Sequence, residues 1–146
     1  MRIAQVAPLF ESVPPRRYGG TERVVSYLTE ELVRQGHRVT LFATGDSRTS
    51  AELVPVVDRP LRGDPQWLVH ALIQLDRVFQ RVEDFDVLHF HADHLHYPLL
   101  RHYEVPMVAT AHGRLDLPGL TRLHRIFSSA ALVSISEAQR APLPQA

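Results

Sequence analysis

The chain has 146 residues, enough for one domain with a full hydrophobic core. Its 16 basic and 16 acidic residues cancel, so no net field favours nucleic acid or an anionic membrane as a partner. The absence of cysteine excludes disulfides and thiolate chemistry, and without a signal peptide or an apolar run of membrane-spanning length we expect a cytoplasmic protein.

The first part of the chain alternates apolar runs with an amphipathic stripe. Residues 3–7 form a continuous apolar run, which is typical of a strand buried on both faces. Residues 21–35 carry apolar side chains at helical spacing, and Gly36 ends this predicted helix. A second strand is predicted at 38–43 and a weaker third strand at 53–57.

The middle of the chain repeats the alternation. Asp64-Pro65 predicts a helix start, because aspartate caps helices and proline suits the first helical position. The helical stripe that follows continues to about residue 83. A strand is then predicted at 87–90, a short helix at 95–102 and another strand at 106–110.

The last part contributes a predicted helix at 117–127, a strand at 131–135 and one further helical turn at 137–140. Strands that alternate with helices at this spacing imply right-handed crossovers between parallel strands. We therefore predict an α/β, Rossmann-like doubly wound fold in a single domain spanning 1–146. Its sheet is expected to be mainly parallel, with about five to seven strands and helices on both faces.

Two adjacent glycines end the loop between the first strand and the first helix. Gly19 and Gly20 precede Thr21, so bare backbone N–H groups and the positive end of a helix face whatever lies over the loop. This arrangement suits a phosphate or an anionic sugar group. It matches neither the dinucleotide fingerprint nor a Walker loop, and a tight turn that only caps a strand–helix unit is the alternative.

Four segments are predicted to meet at the carboxyl edge of the parallel sheet, where doubly wound folds bind their ligands. His112 lies there, after a strand and before a glycine, and its ring can donate a hydrogen bond to a sugar hydroxyl or to developing negative charge. A structural histidine that caps the strand end is the alternative. The four segments are 8–20, 44–46, 91–94 and 111–114.

Several motifs, in consistent order and spacing over nearly the whole chain, resemble the N-terminal domain of family-4 retaining glycosyltransferases of the GT-B architecture. These motifs are residues 19–22, 32–42, 85–91, 106–113 and 133–136. Residues 11–15 and 112–118 resemble, more closely, a bacterial subgroup labelled tetrahydrobiopterin glucosyltransferase.

The resemblance implies that His112 is catalytic and lies beside the anomeric centre of the donor sugar. It places Gly19 and Gly20 near the donor diphosphate or the acceptor. Arg16 and Arg17 would bind an anionic acceptor or the leaving phosphate, and a solvated loop explains these two arginines equally well. The other residues predicted to bind substrate or phosphate are Thr21, Asp93, His94, Gly113, Arg114 and Ser136.

Other polar residues receive accessory or structural interpretations. Glu22 is interpreted as a first-turn residue favoured by the helix dipole. His96 is expected to line the acceptor cleft together with Asp93 and His94. The remaining histidines are predicted to lie on helix or turn surfaces, and they are His37, His70, His102 and His124.

In the family that the chain resembles, the donor nucleotide and the catalytic carboxylates belong to a second domain. The resemblance therefore implies the acceptor-binding half of an enzyme that transfers a hexose from UDP-glucose, or a similar nucleotide-diphosphate sugar, to a small-molecule or lipid-linked acceptor. It implies no metal, and no cofactor besides the nucleotide sugar as co-substrate. The implied partner is a C-terminal donor-binding domain, and without that domain we expect an inactive chain that covers its unfinished surface by forming a homodimer.

A rival interpretation comes from the segment 89–94. It matches the H-x-H-x-D-H motif of the metallo-β-lactamase superfamily, so His89, His91, Asp93 and His94 would bind zinc in a hydrolase. That fold needs β-rich segments upstream and spaced metal ligands downstream, which this sequence does not offer. Alternation also points His89 and His91 to one side of their strand. A non-catalytic binding module is the remaining possibility, because a fold alone does not determine function.

Overall fold

A computed structural model describes residues 1–92 and 94–143 of the chain. Six strands form one sheet in which every neighbouring pair is parallel, so the predicted doubly wound α/β fold is confirmed. The strands are β1 (Arg2–Val6), β2 (Arg38–Thr44), β3 (Glu52–Val57), β4 (Val87–Phe90), β5 (Met107–Ala111) and β6 (Ala131–Ser134).

The strand order β3-β2-β1-β4-β5-β6 places the first strand near the centre of the sheet. From β1 the chain winds outward through β2 and β3, and then returns to the other side of β1 with β4. The direction of winding therefore reverses between β1 and β4, where Val6 pairs with Phe90 at the carboxyl ends. Doubly wound sheets bind their ligands outside such a reversal point.

The two long helices cover opposite faces of the sheet. Val25, from α1 (Gly20–Arg34), packs with Leu41, whereas Val78, from α2 (Trp67–Phe79), packs with Phe42. Leu41 and Phe42 are consecutive residues of β2, so their side chains point to opposite faces and each anchors one helix. Two short helices follow later in the chain, α3 (Leu120–Ile126) and α4 (Glu137–Arg140).

The predicted helix over 64–83 is shorter in the structure. The Asp64 carboxylate accepts a hydrogen bond from the Gln66 N–H at 2.7 Å, so this aspartate closes a turn and α2 begins only at Trp67. After α2 ends at Phe79, a separate 3-10 turn covers Val82–Asp84. The short helix predicted at 95–102 is likewise a 3-10 turn, over Tyr97–Arg101.

A buried amide ties α2 to the sheet. Gln74 is 2% exposed, and its side-chain N–H group donates to the carbonyl oxygens of Ala7 and Phe42 at 2.9 and 3.2 Å. Both carbonyls lie towards the carboxyl edge of the sheet, so this polar side chain on the buried face of α2 satisfies backbone groups there.

Two histidines predicted elsewhere belong to the core. His96 was expected in the cleft, but it is 1% exposed and its ring stacks on Phe90 with 3.9 Å between centroids. Burial, with the neighbouring His94, lowers the pKa of His96 to about 3. The surface position predicted for His124 is wrong, because this side chain is 6% exposed and packs edge-on against Tyr97. A neutral imidazole can pack in the core as a flat ring. Helical spacing alone does not show which histidines do so.

None of the helices in the described ranges is both long enough and apolar enough to cross a membrane.

Candidate active site

A cleft of about 660 Å³ lies over the carboxyl edge of the sheet, at the reversal point between β1 and β4. Its walls come from the loop after β1, the first turn of α1, the start of α2 and the segments that follow β4 and β5. Cavities of this size accommodate small-molecule ligands. The edge predicted for ligand binding therefore carries a formed cleft.

The two glycines of the loop have different tasks. Gly19 has a φ of +149°, and a Cβ placed on it would lie 2.8 Å from Pro15 Cβ and 2.9 Å from Glu22 Oε2. Only glycine tolerates both conditions. Gly20 opens α1 and would place a Cβ more than 4 Å from any neighbouring atom, so nothing in its surroundings excludes a side chain.

The start of α1 faces the cleft with its backbone N–H groups. No side chain caps this helix at Gly19, and Gly20 and Thr21 both line the cleft. The first N–H groups of a helix have no partner within the helix, and the helix dipole adds partial positive charge at this end. The arrangement is suited to an anionic group such as a phosphate.

Glu22 lies in the first turn of α1, as interpreted, but it also lines the cleft while only 4% exposed. Burial raises the pKa of its carboxyl group. A hydrogen bond from the Glu22 backbone N–H and, more weakly, the charge of Arg62 favour the charged form and act in the opposite direction. Arg62 is held by an ion pair with Glu11. The sequence pattern pointed to the helix dipole and gave no sign of this burial.

A line of hydrogen bonds runs beneath the cleft. His112, directly after β5, places its Nε2 2.9 Å from His91 Nδ1, and His91 Nε2 lies 2.8 Å from Gln5 Oε1. Gln5 is fully buried in β1 and His91 is 4% exposed, whereas His112 is half-buried and lines the cleft. The line therefore connects the middle of the sheet with the ligand-facing ring of His112.

The opposite wall is aromatic. The rings of Phe10 and Trp67 lie 5.7 Å apart, and the Arg62 guanidinium lies 5.1 Å from the centre of the Tyr18 ring. All four side chains line the cleft. Trp67 is the only tryptophan in the sequence, and it follows the turn that Asp64 closes. It was not singled out from the sequence, and its rarity was the one sign that it could line the site.

A family model for Glycosyltransferase Family 4 matches residues 18–143. The chain belongs to this family. Among solved structures it is similar to AviGT4, a glycosyltransferase involved in avilamycin A biosynthesis, with 26% sequence identity and a TM-score of 0.57. The match covers 98% of this chain and 38% of the AviGT4 chain, so the chain spans less than half the length of that enzyme. No curated protein matches the chain.

The Rossmann-like sheet corresponds to one half of a GT-B fold. In this family 4 domain, many of the residues singled out from the sequence converge on the cleft. Those that line it are Gly19, Gly20, Thr21, His94, His112, Gly113 and Arg114.

Three residues predicted to bind substrate lie away from the lining of the cleft. Arg16 is exposed and forms a 3.5 Å ion pair with Asp46, and Arg17 is also exposed. Ser136 caps α4 by accepting a hydrogen bond from the Gln139 N–H at 3.1 Å. Asp93, the other predicted residue of this set, lies outside the described residues.

The histidine string that suggested zinc is used differently in the family 4 domain. His89 Nε2 lies 2.7 Å from Thr110 Oγ1, and both ring nitrogens of His91 make hydrogen bonds to Gln5 and His112. Within 1–92 and 94–143, no group of three or more metal-ligating side chains comes together in a way that could hold a metal ion. Among the described residues, which do not include Asp93, the geometry gives no support for a zinc-dependent hydrolase.

We expect the buried histidines of the family 4 domain to make its stability depend on pH. Burial lowers the pKa of His91 to about 2 and that of His96 to about 3. Below about pH 6.5 the unfolded chain binds protons on these residues that the folded chain does not, so stability falls as pH falls from about 6.5 towards 4. Each fully buried histidine contributes a slope of up to about 1.4 kcal/mol per pH unit.

Urea unfolding at several pH values between about 5 and 7.5 measures this slope. The variant His96→Phe keeps a flat ring in the core but removes one of the titrating groups. We expect its free energy of unfolding to depend less steeply on pH than that of the unmodified chain. Equal slopes would show that His96 binds protons alike in the folded and unfolded states.

Proposed function

We propose that this chain is the acceptor-binding half of a retaining glycosyltransferase that transfers a hexose from a nucleotide-diphosphate sugar, UDP-glucose or a similar donor. The observation that carries the proposal is the position of His112. This residue follows β5 at the carboxyl edge of the sheet, lines the cleft, and is held by His91 at 2.9 Å. The family membership of the chain supports the reaction class.

The two ends of the cleft suggest a division of roles. The uncapped start of α1, with Gly20 and Thr21, offers backbone N–H groups to the diphosphate of the donor. His112 forms a hydrogen bond at the reacting centre of the sugar. Gly113 and Arg114 follow it along the same wall.

Retention of the anomeric configuration would follow from attack on the same face of the sugar that the diphosphate leaves. Negative charge then develops on the departing phosphate oxygen, and backbone N–H groups that already point towards it lower the barrier. We assign the other groups that the reaction needs to a second, C-terminal domain. They are the remaining positive charge, the donor nucleotide site and the catalytic carboxylates. Acceptor and donor sugar would meet between the two domains, and the aromatic wall of Phe10 and Trp67 would face the acceptor.

We expect the 146-residue chain by itself to fold but not to transfer sugar, since the donor-binding domain would be missing. Incubation with UDP-glucose and a panel of hydroxylated acceptors, followed by mass spectrometry, measures transfer directly. The complete protein that carries this domain is the positive control, and NMR of its product reports whether the anomeric configuration is retained. Sugar transfer by the isolated chain would refute its assignment as half of an enzyme.

The same preparation tests self-association. Val133 in the edge strand β6 is 46% exposed, and Ile135 just after it is 58% exposed and also lines the cleft. We infer that a second copy covers this apolar edge in the isolated chain, as a twofold dimer. Sedimentation at micromolar concentration is expected to show the dimer, and a monomer alone would contradict it.

A further inference from the structure

The role proposed for His112 does not account for the buried side-chain amide of Gln5. Gln5 lies in the middle of the central strand β1, has no exposed surface, and pairs in register with His89 of β4. Burying an amide costs free energy unless its groups are hydrogen-bonded. Both groups of Gln5 are used, and one of them leads through His91 to His112.

The first branch has a definite direction. The Gln5 carbonyl oxygen can only accept, so the proton on His91 lies on Nε2, 2.8 Å from Gln5 Oε1. A neutral His91 then has a bare Nδ1, which can only accept. Its partner at 2.9 Å is His112 Nε2, and this nitrogen must therefore carry the proton of the His112 ring.

The second branch is consistent with that direction. The Gln5 amide nitrogen can only donate, and it faces His89 Nδ1 at 3.4 Å. His89 then carries its proton on Nε2, which donates to Thr110 Oγ1 at 2.7 Å. Reversing the amide would reverse both branches together, with His89 and His91 exchanging tautomers, so the direction follows from the orientation of Gln5 in the structure.

We propose that Gln5 and His91 are positioning residues that hold His112 in its Nε2-protonated tautomer, so that Nδ1 offers a hydrogen-bond acceptor to a ligand hydroxyl. This inference rests on the proposed function, because it specifies how His112 meets the sugar. Among the described residues, His112 makes its one side-chain hydrogen bond through Nε2. The ring thus accepts from a hydroxyl of the sugar or acceptor, in place of the donating role expected from the sequence.

The burial of the two rings agrees with neutral imidazoles. Burial, reinforced by His89 and His112, lowers the pKa of His91 to about 2, and burial also lowers the pKa of His112. At neutral pH neither ring carries a second proton. The tautomer of His112 is consequently set by its partner, as it is wherever one ring nitrogen of a histidine is fixed by a hydrogen bond.

Nitrogen NMR of the chain with labelled histidine reads the tautomer directly, without any activity. We expect the His112 spectrum at neutral pH to show a protonated Nε2 and a bare Nδ1. A protonated Nδ1 with a bare Nε2 would overturn the proposal. Because this measurement uses the unmodified chain, it decides the question even if a variant of Gln5 fails to fold.

One substitution tests whether Gln5 is responsible. Gln5→Met removes the acceptor at similar length. In the complete protein, with hydrolysis of UDP-glucose as the assay, we expect Gln5→Met to lower kcat about tenfold with KM within about twofold. We expect its His112 spectrum to become a mixture of tautomers. Full activity or an unchanged His112 spectrum in Gln5→Met would contradict the proposal.

His96→Phe is the matched control, because it replaces a buried histidine in contact with Phe90 that is not part of the hydrogen-bonded line. We expect unchanged His112 signals and unchanged kcat in this variant. His112→Ala separates the role proposed for His112 at the sugar from the positioning role of Gln5. If His112→Ala stays active, the role proposed for His112 fails whatever the tautomer. If the unmodified complete protein transfers no sugar, the proposed function itself fails. If His112→Ala is inactive while Gln5→Met is fully active, only the positioning role fails.

Discussion

Replacing His112 by alanine in the complete protein is expected to lower kcat for sugar transfer by about 10²- to 10³-fold, the usual loss when one preorganised hydrogen-bonding group at a reacting centre is removed. The ring of His112 lines the cleft and is anchored from behind by His91. The contact is proposed to lie at the reacting sugar, so the loss should appear mainly in kcat.

The fold should tolerate this change. His112 is only half-buried and follows the end of β5, outside the clusters that form the core. Steady-state kinetics and thermal unfolding of the same preparation measure both effects. His102→Ala is the matched control, since His102 is an exposed histidine at the end of the 3-10 turn Tyr97–Arg101. Turnover of His112→Ala within a few-fold of the unmodified protein would remove His112 from the mechanism.

Valine at Gly19 is expected to destabilise the chain by about 2–4 kcal/mol, whereas valine at the adjacent Gly20 should leave its stability nearly unchanged. The φ of +149° at Gly19 is strained for a β-branched residue, and the new Cβ would meet Pro15 and Glu22 at less than 3 Å. Gly20 has no such φ and no atom within 4 Å of a new Cβ.

Gly20→Val should weaken binding of the donor although it leaves the stability of the chain nearly unchanged. A valine there stands at the mouth of the uncapped helix, where the backbone is proposed to approach the diphosphate, so we expect affinity for UDP-glucose to fall about tenfold. Urea unfolding of the chain and calorimetric titration of the complete protein provide the two measurements. Loss of stability in Gly20→Val equal to that in Gly19→Val would show that both glycines are required only for folding.

The fold could be predicted from the sequence because its signals are local. Each strand is a short apolar run between turn residues. The consecutive apolar residues Leu41 and Phe42 point to opposite faces, so helices are needed on both faces of the sheet. The start of α2 was placed too early, because Asp64 closes a turn before Trp67 begins the helix. A capping residue specifies a nearby helix start but not the number of turn residues that intervene.

The location of the candidate site could be predicted by the same reasoning, but the hydrogen bonds between its residues could not. The sequence indicates that the loops around Gly19 and His112 meet at one edge of the sheet. The bond between Gln5 and His91 joins residues 86 positions apart and depends on the register of β1 against β4. A glutamine inside an apolar strand was its only visible sign, and polar residues in strands have many other partners.

The amide of Gln74 has a mechanical consequence for the cleft. By donating to the carbonyls of Ala7 and Phe42, it fastens α2 to the ends of two neighbouring strands in the sheet interior. Trp67 begins the same helix, so these bonds restrain its position relative to the floor of the cleft. A ligand that enters this half of the cleft therefore meets a backbone that is already ordered. Its affinity is not reduced by the free-energy cost of immobilising that backbone.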